Sequence, residues 1–306
     1  MGRAAADEDR LIGELFPEEE VRSTRPPDTR NLSGPADMFG RGLVPPSQTD
    51  AKARLVSGYL ARFQMVTKSG VYIDGFAAPQ KLDHEDAWCA RRVLELQPKW
   101  IRTAFLCDID PAGIERLRGL RRQHHRHPQG RRVFVHEGDF NSEVEHIIAR
   151  GSIRKKTPTF VLLDQRKDEC RWSTVQRLAN LKSAKVEMLY FVGTGWMMRT
   201  MKSAKKPERF ARLDAWWGDG SWRDHLSGSQ DIFAHTMAAR FAKELGYRNV
   251  MAWPIYRGEG RRLMFHLIHA SDHPRAMPLM RDAYRQEIGA REGTAADEQT
   301  ALFGPG

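Results

Sequence analysis

Residues 72–80 read YIDGFAAPQ. The run of Tyr72 and Ile73 ends on Asp74 and breaks at Gly75, which predicts a short buried strand entering a turn. The same grammar returns four times: TAFLCDIDP (103–111), RRVFVHEGDFN (131–141), TPTFVLLDQ (157–165) and VEMLYFVG (186–193). Helical spacing fills the gaps, over Ala87 to Leu96, Pro111 to Arg122, from Val144 to Ala149, and Trp172 to Leu181. Upstream, Asp50 is placed to cap a helix that carries Leu55, Tyr59, Leu60 and Phe63 on one side. Strands that alternate with helices predict a mostly parallel sheet with helices on both faces. Further on, WPIYRGEGRRLMFHLIHAS (253–271) reads as two strands around a turn, a closing antiparallel hairpin.

Acids recur where these strands end. Asp74, Asp108, Asp110, Asp139 and Asp164 all fall at or just after a predicted strand terminus, and ligands of open α/β sheets sit at the carboxyl ends of the strands. A ligand such as S-adenosylmethionine has a ribose diol, an adenine and an amino-acid end but no phosphate. It calls for close backbone approach after the first strand and a carboxylate after the second. On that reading Asp74, Phe76, Ala77 and Ala78 hold the amino-acid end. Asp108 takes the ribose and Asp139 the adenine, with Asp110 and Phe140 as further cofactor-binding residues. Asp164 faces the transferable methyl group and is the candidate catalytic residue.

The order of these motifs resembles the three-Cys-motif partner (TcmP) family, from about Lys52 to about Tyr284. The likeness rests on K..L...YL..F before the first strand, YIDGFA at Tyr72 to Ala77, and FLCDIDP at Phe105 to Pro111. It continues with GDFN at Gly138 to Asn141, TFVLLD followed by W.T...LA at Thr159 to Ala179, and LMFHLIHASDHP at Leu263 to Pro274. The resemblance implies a Rossmann-like class I methyltransferase fold, S-adenosylmethionine as cofactor, and association with a separate three-Cys-motif protein. Two loops depart from the family. Its first loop is usually Y.D.FAGPG, whereas Ala77, Ala78, Pro79 and Gln80 follow Phe76 here. Its fourth-strand motif is usually DP.G, whereas this chain has Asp164, Gln165, Arg166 and Lys167. If the altered first-loop positions need positive φ, alanine is strained there and its methyl group obstructs the ligand. The alternative to an active enzyme is therefore a methyltransferase fold without turnover, serving as a nucleic-acid or protein binding module in DNA repair or defence.

Composition sets the outer bounds. The chain has 306 residues, 41% of them hydrophobic, and a net charge of +10; its mean hydropathy is −0.58. No apolar run approaches the roughly 20 residues of a membrane span, and the acidic start MGRAAADEDR lacks a secretory h-region, so a cytoplasmic protein is expected. The order along the chain is an extended arm (1–50), one domain (51–290) with a basic, Trp-rich insertion at about 196–245, and a flexible tail (291–306).

The basic excess favours polyanion partners. Arg121 and Arg122 stand in one cluster, and Arg199, Lys202, Lys205 and Lys206 in another, beside Trp196, Trp216, Trp217 and Trp222. That mixture suits base stacking with phosphate neutralisation, or else a tryptophan core beneath an insertion. His266 and His269 fall on opposite faces of a strand, which argues against a metal site. Cys89, Cys107 and Cys170 lack the spacing of a zinc site. Gln299 to Phe303, QTALF, resembles a sliding-clamp docking peptide.

Overall fold

The computed structural model describes residues 48–79, 85–125, 130–257 and 262–286. The arm up to residue 47 and the tail with its clamp-like Gln299 to Phe303 lie outside the described residues. The elements run α1 (Gln48–Thr67), β1 (Gly70–Asp74), α2 (Cys89–Glu95), β2 (Ile101–Asp108), α3 (Pro111–His124), β3 (Arg132–Glu137), α4 (Phe140–Ala149), β4 (Thr159–Leu163), α5 (Trp172–Ala179) and β5 (Glu187–Val192). There follow α6 (Thr194–Ser203), α7 (Pro207–Trp217), α8 (Gln230–Lys243), β6 (Asn249–Arg257) and β7 (Arg262–Ser271), then a helical stretch over 276–286. Helix α1 begins before Asp50, so this residue lies inside the first turn rather than at the cap.

The strands form one sheet in the order β3-β2-β1-β4-β5-β7-β6. Five are parallel, and β7 enters antiparallel between β5 and β6. This is the strand order of a Rossmann-like class I methyltransferase fold, with the expected closing hairpin. The chain runs outward from β1 to β2 and β3, then crosses back to β4 on the other side of β1, so the crevice for a ligand opens at the β1/β4 switch point.

Alternate residues of each strand feed two separate cores, because successive side chains point to opposite faces. Val71, Ile73, Phe105, Cys107, Val161 and Leu163 pack against α4, α5 and the insertion. Tyr72, Ala104, Leu106, Phe160, Leu162 and Leu189 pack against α1, α2, α3 and the helical stretch at 276–286. Each large side chain so buried contributes roughly 1.5–3 kcal/mol, and burial on both faces explains why the strands read as continuous apolar runs.

The segment between β5 and β6 is a helical cap in which three of the tryptophans are core and Trp196 is half-buried against them. Trp216, Trp217 and Trp222 are each 1% exposed, so they cannot stack on bases. The Arg240 guanidinium lies 4.1 Å from the Trp172 ring centre and 4.4 Å from that of Trp217, and its Nε donates to Glu244. Asp168, with a fully buried side chain, ties the loop after β4 to Arg209 and Arg212 of α7. All three cysteines are buried and unpaired.

Candidate cofactor site

The site is built where β1, β2, β3 and β4 end. Asp74 closes β1 at 1% exposure. Its Oδ2 accepts from the Tyr72 hydroxyl at 2.7 Å and its Oδ1 from the Phe76 N–H at 3.2 Å. Burial pushes this carboxyl up to about 7, against the pull of the Tyr72 hydrogen bond.

The turn after β1 is stitched to both neighbouring strands. Gly75 N–H donates to the Leu162 carbonyl at 3.0 Å, and Ala77 N–H to the Cys107 carbonyl at 2.8 Å. Ala78 N–H donates to Asp108 Oδ2 at 2.8 Å, and the Trp88 indole holds the Ala77 carbonyl at 2.6 Å. Neither alanine is strained: among the described residues Lys68 alone combines a side chain with positive φ. The Ala78 methyl group does not obstruct the cleft either. It fills a notch at the start of α3, where a Cβ on Gly113 would lie 2.3 Å from it. The methyl group that stands in place of one expected glycine is thus accommodated by another glycine, at position 113.

Phe140 packs beneath the turn after β1. It is 2% exposed and lies across Gly75, where a Cβ would meet its ring at 2.9 Å. The Phe76 ring tilts against it at 6.0 Å. The Asp110 carboxylate caps α3 by accepting from Gly113 N–H at 2.9 Å. Asp139 caps α4 in the same way through Asn141 N–H, at 3.0 Å, and its side chain stays 43% exposed.

Asp108 is differently placed. It is half-buried, with Oδ2 on Ala78 N–H and Oδ1 on the Ile109 and Asp110 amides at 2.8 and 3.0 Å. Three amides fix the carboxylate, yet its oxygens have roughly four acceptor positions, so one remains for a ligand hydroxyl. Beside it Ile109 is 69% exposed, one of three large hydrophobics so exposed among the described residues. Sequence reasoning missed Ile109. The available signal was an apolar residue between two acids, where a turn would otherwise be polar.

Asp164 is held by Lys52 of α1, with Nζ 2.7 Å from both carboxylate oxygens. Both side chains are almost fully buried, and the Lys52 ammonium lies 5.0 Å from the Phe191 ring centre and 5.9 Å from that of Phe265. Burial pushes the Asp164 carboxyl up even so. The space enclosed by Lys52, Asp74, Phe76, Ala78, Trp88 and Asp164 is about 10 Å³, enough for a single water. In the loop beyond, Gln165 folds back: its Oε1 accepts from Glu169 and Cys170 N–H, and its Nε2 donates to the Phe191 carbonyl. This brace shapes the loop after β4. Asn141 joins α4 to the same loop through the Glu169 carbonyl, Arg171 N–H and the Thr174 hydroxyl.

The basic residues do not form one surface. Arg121 and Arg122 are exposed at the end of α3, which packs on β2 and β3. Arg199, Lys202, Lys205 and Lys206 are exposed on and after α6, which packs on β7 and α8. Five strand intervals separate β3 from β7, roughly 24 Å at about 4.8 Å each. His266 and His269 do face opposite ways, His266 to Asp231 and His269 to Glu187, and no metal-binding group of side chains occurs among the described residues. No helix of the described residues is long and apolar enough to cross a membrane.

No protein-family model matches the chain, and no curated protein does. Solved structures do. The plantazolicin methyltransferase BamL, in complex with a triazolic desmethylPZN analog and SAH, is similar at 11% identity and a TM-score of 0.42, over 74% of this chain and 85% of that one. A Legionella pneumophila protein is similar at 8% identity and a TM-score of 0.44, over 79% and 93%. A Listeria monocytogenes protein described as a class I S-adenosylmethionine-dependent methyltransferase is similar at 13% identity and a TM-score of 0.35, over 74% and 61%. Likenesses this distant say nothing of substrate or mechanism, and the class I methyltransferase fold rests on the strand order of the sheet itself.

Proposed function

We propose that this methyltransferase-like chain binds S-adenosylmethionine along the carboxyl edge of its sheet, with the adenosyl half over β2 and β3. The observation that carries this reading is the pairing of Asp108 with Ile109. A carboxylate fixed by three amides keeps a free acceptor position for a ribose hydroxyl, and an exposed branched side chain beside it offers a flat purine something apolar to cover. A dinucleotide fits less well. Gly75 to Pro79 form a turn rather than the start of a helix, so the amide cluster that anchors a pyrophosphate is not presented there.

The amino-acid half then lies toward β4, where Asp74 would receive its ammonium group and Lys52 its carboxylate. Opening of the Lys52–Asp164 pair makes room for that half, since the space they enclose is about 10 Å³. The chain's own contribution to transfer would be alignment of methyl group and acceptor at Asp164. The closed ion pair also favours a second reading, in which the fold binds its nucleoside and does not turn over. Exposed Arg199, Lys202, Lys205 and Lys206 suit a polyanionic acceptor such as nucleic acid, and binding to it should weaken steeply with salt. Salt-insensitive or absent binding in a gel shift would remove that acceptor class.

Calorimetric titration with S-adenosylmethionine tests the donor site. Micromolar binding should weaken about 100-fold in Asp108→Ala, which loses charge-assisted hydrogen bonds, and about tenfold in Ile109→Ala. No heat at millimolar ligand would refute the site. A single-turnover assay with labelled methyl donor then separates transfer from binding alone.

A further inference from the structure

The opposite edge of the sheet holds a larger space. A cavity of about 340 Å³ lies where α1 ends, β4 and β5 begin and β7 finishes, within the size range of small-molecule sites. Its walls are apolar at Phe63, Pro158 and Leu279, and Lys156, Lys182 and Lys185 stand around it. Two carboxylates border it, and both are engaged. Glu187, 7% exposed, accepts from the Tyr59 hydroxyl, from Ser271 Oγ at 3.0 Å and from His269 Nε2 at 2.8 Å. Asp272 Oδ1 accepts from Arg248 N–H at 3.0 Å. Three ammonium groups against two carboxylates leave the polar face net positive. Lys182 is half-buried and bonded to the Thr157 carbonyl, and burial pushes its ammonium down to about 8. Lys185 reaches the Ala179 carbonyl at 3.4 Å.

We propose that this cavity binds a small organic anion, with a ring-sized apolar body between Phe63, Pro158 and Leu279 and its acidic head at Lys182 and Lys185. A ring-sized apolar group seated against these walls removes its own surface and theirs from water. A half-buried ammonium held by one carbonyl gains from a second, anionic partner. One ligand that is apolar at one end and singly charged at the other satisfies both. The site is separate from the carboxyl edge and does not depend on cofactor binding there.

Fluorescence titration of the full chain with anilinonaphthalene sulfonate tests the site. One dye should bind per chain and be displaced by naphthalene carboxylate. Lys182→Gln should weaken it about tenfold, Leu279→Trp should abolish it by filling the space, and Asp108→Ala should leave it unchanged. If Leu279→Trp does not fold, Lys182→Gln combined with Lys185→Gln decides. Dye affinity that survives Leu279→Trp in a folded protein, or survives the double lysine variant, overturns the proposal. So does dye affinity that falls with Asp108→Ala and not with the lysine variants.

Discussion

At the carboxyl edge of the sheet the acids after β1 to β4 are held by backbone amides, a tyrosine hydroxyl or Lys52, and the space between Asp74 and Asp164 shrinks to about 10 Å³. At the amino edge of the same strands about 340 Å³ stands open between apolar walls and lysines. The first edge has the positions at which an α/β sheet holds ligands, and commits its polar groups to its own loops. The second has the volume without the topological advantage. Polar residues at strand ends therefore do not by themselves measure room for a ligand. What matters is how many of their hydrogen-bonding positions the fold leaves over, and Asp108 is the place where it leaves one beside an exposed apolar surface.

The closure of the carboxyl edge is most directly broken at Lys52. Lys52→Met leaves the buried Asp164 carboxylate without its counter-charge and should cost about 3–5 kcal/mol of unfolding free energy in urea. Lys52→Met combined with Asp164→Leu should recover most of that loss. A single variant within about 1 kcal/mol of wild type would mean that the pair does not hold the edge shut.

Asp74 sharpens the comparison through pH. Its folded-state value, raised to about 7 from 3.8, means that the folded chain keeps a proton the unfolded chain has lost. Stability should therefore fall as pH rises from about 4 to 7, by at most about 4 kcal/mol for a shift of some three units. Asp74→Asn, which keeps the acceptor for Tyr72, should flatten that slope in melts at successive pH values. An unchanged slope would place the titration elsewhere.

A smaller effect is expected at the notch. Gly113→Ala forces a methyl group onto that of Ala78 and should cost about 1–3 kcal/mol, with Ala78→Gly restoring the loss in the double variant. Additive losses would show that the two positions do not touch.

The fold was legible in the sequence because strand and helix periods alternate cleanly and each strand ends on an acid or a turn. The hairpin of β6 and β7 was equally plain from its two apolar runs. The insertion's tryptophans were ambiguous, since a basic, aromatic stretch reads alike whether its rings face solvent or core. The site was legible only as positions. Asp74, Asp108, Asp139 and Asp164 were found at the strand ends, but their occupancy depends on partners far away in sequence, such as Lys52 for Asp164 and Gly113 for Ala78. No local pattern encodes those pairings.

The central claim is that the adenosyl half of the donor finds a prepared site at Asp108 and Ile109, while opening of the Lys52–Asp164 pair makes room for its amino-acid half. Comparing the affinities of S-adenosylmethionine and methylthioadenosine, which lacks the amino-acid half, tests it most directly. The two should bind within about tenfold of each other, because the attraction of Asp74 and Lys52 for the amino-acid half is offset by the ion pair that this half breaks. Binding of S-adenosylmethionine about a thousandfold tighter, or no binding of either at millimolar concentration, would contradict the account.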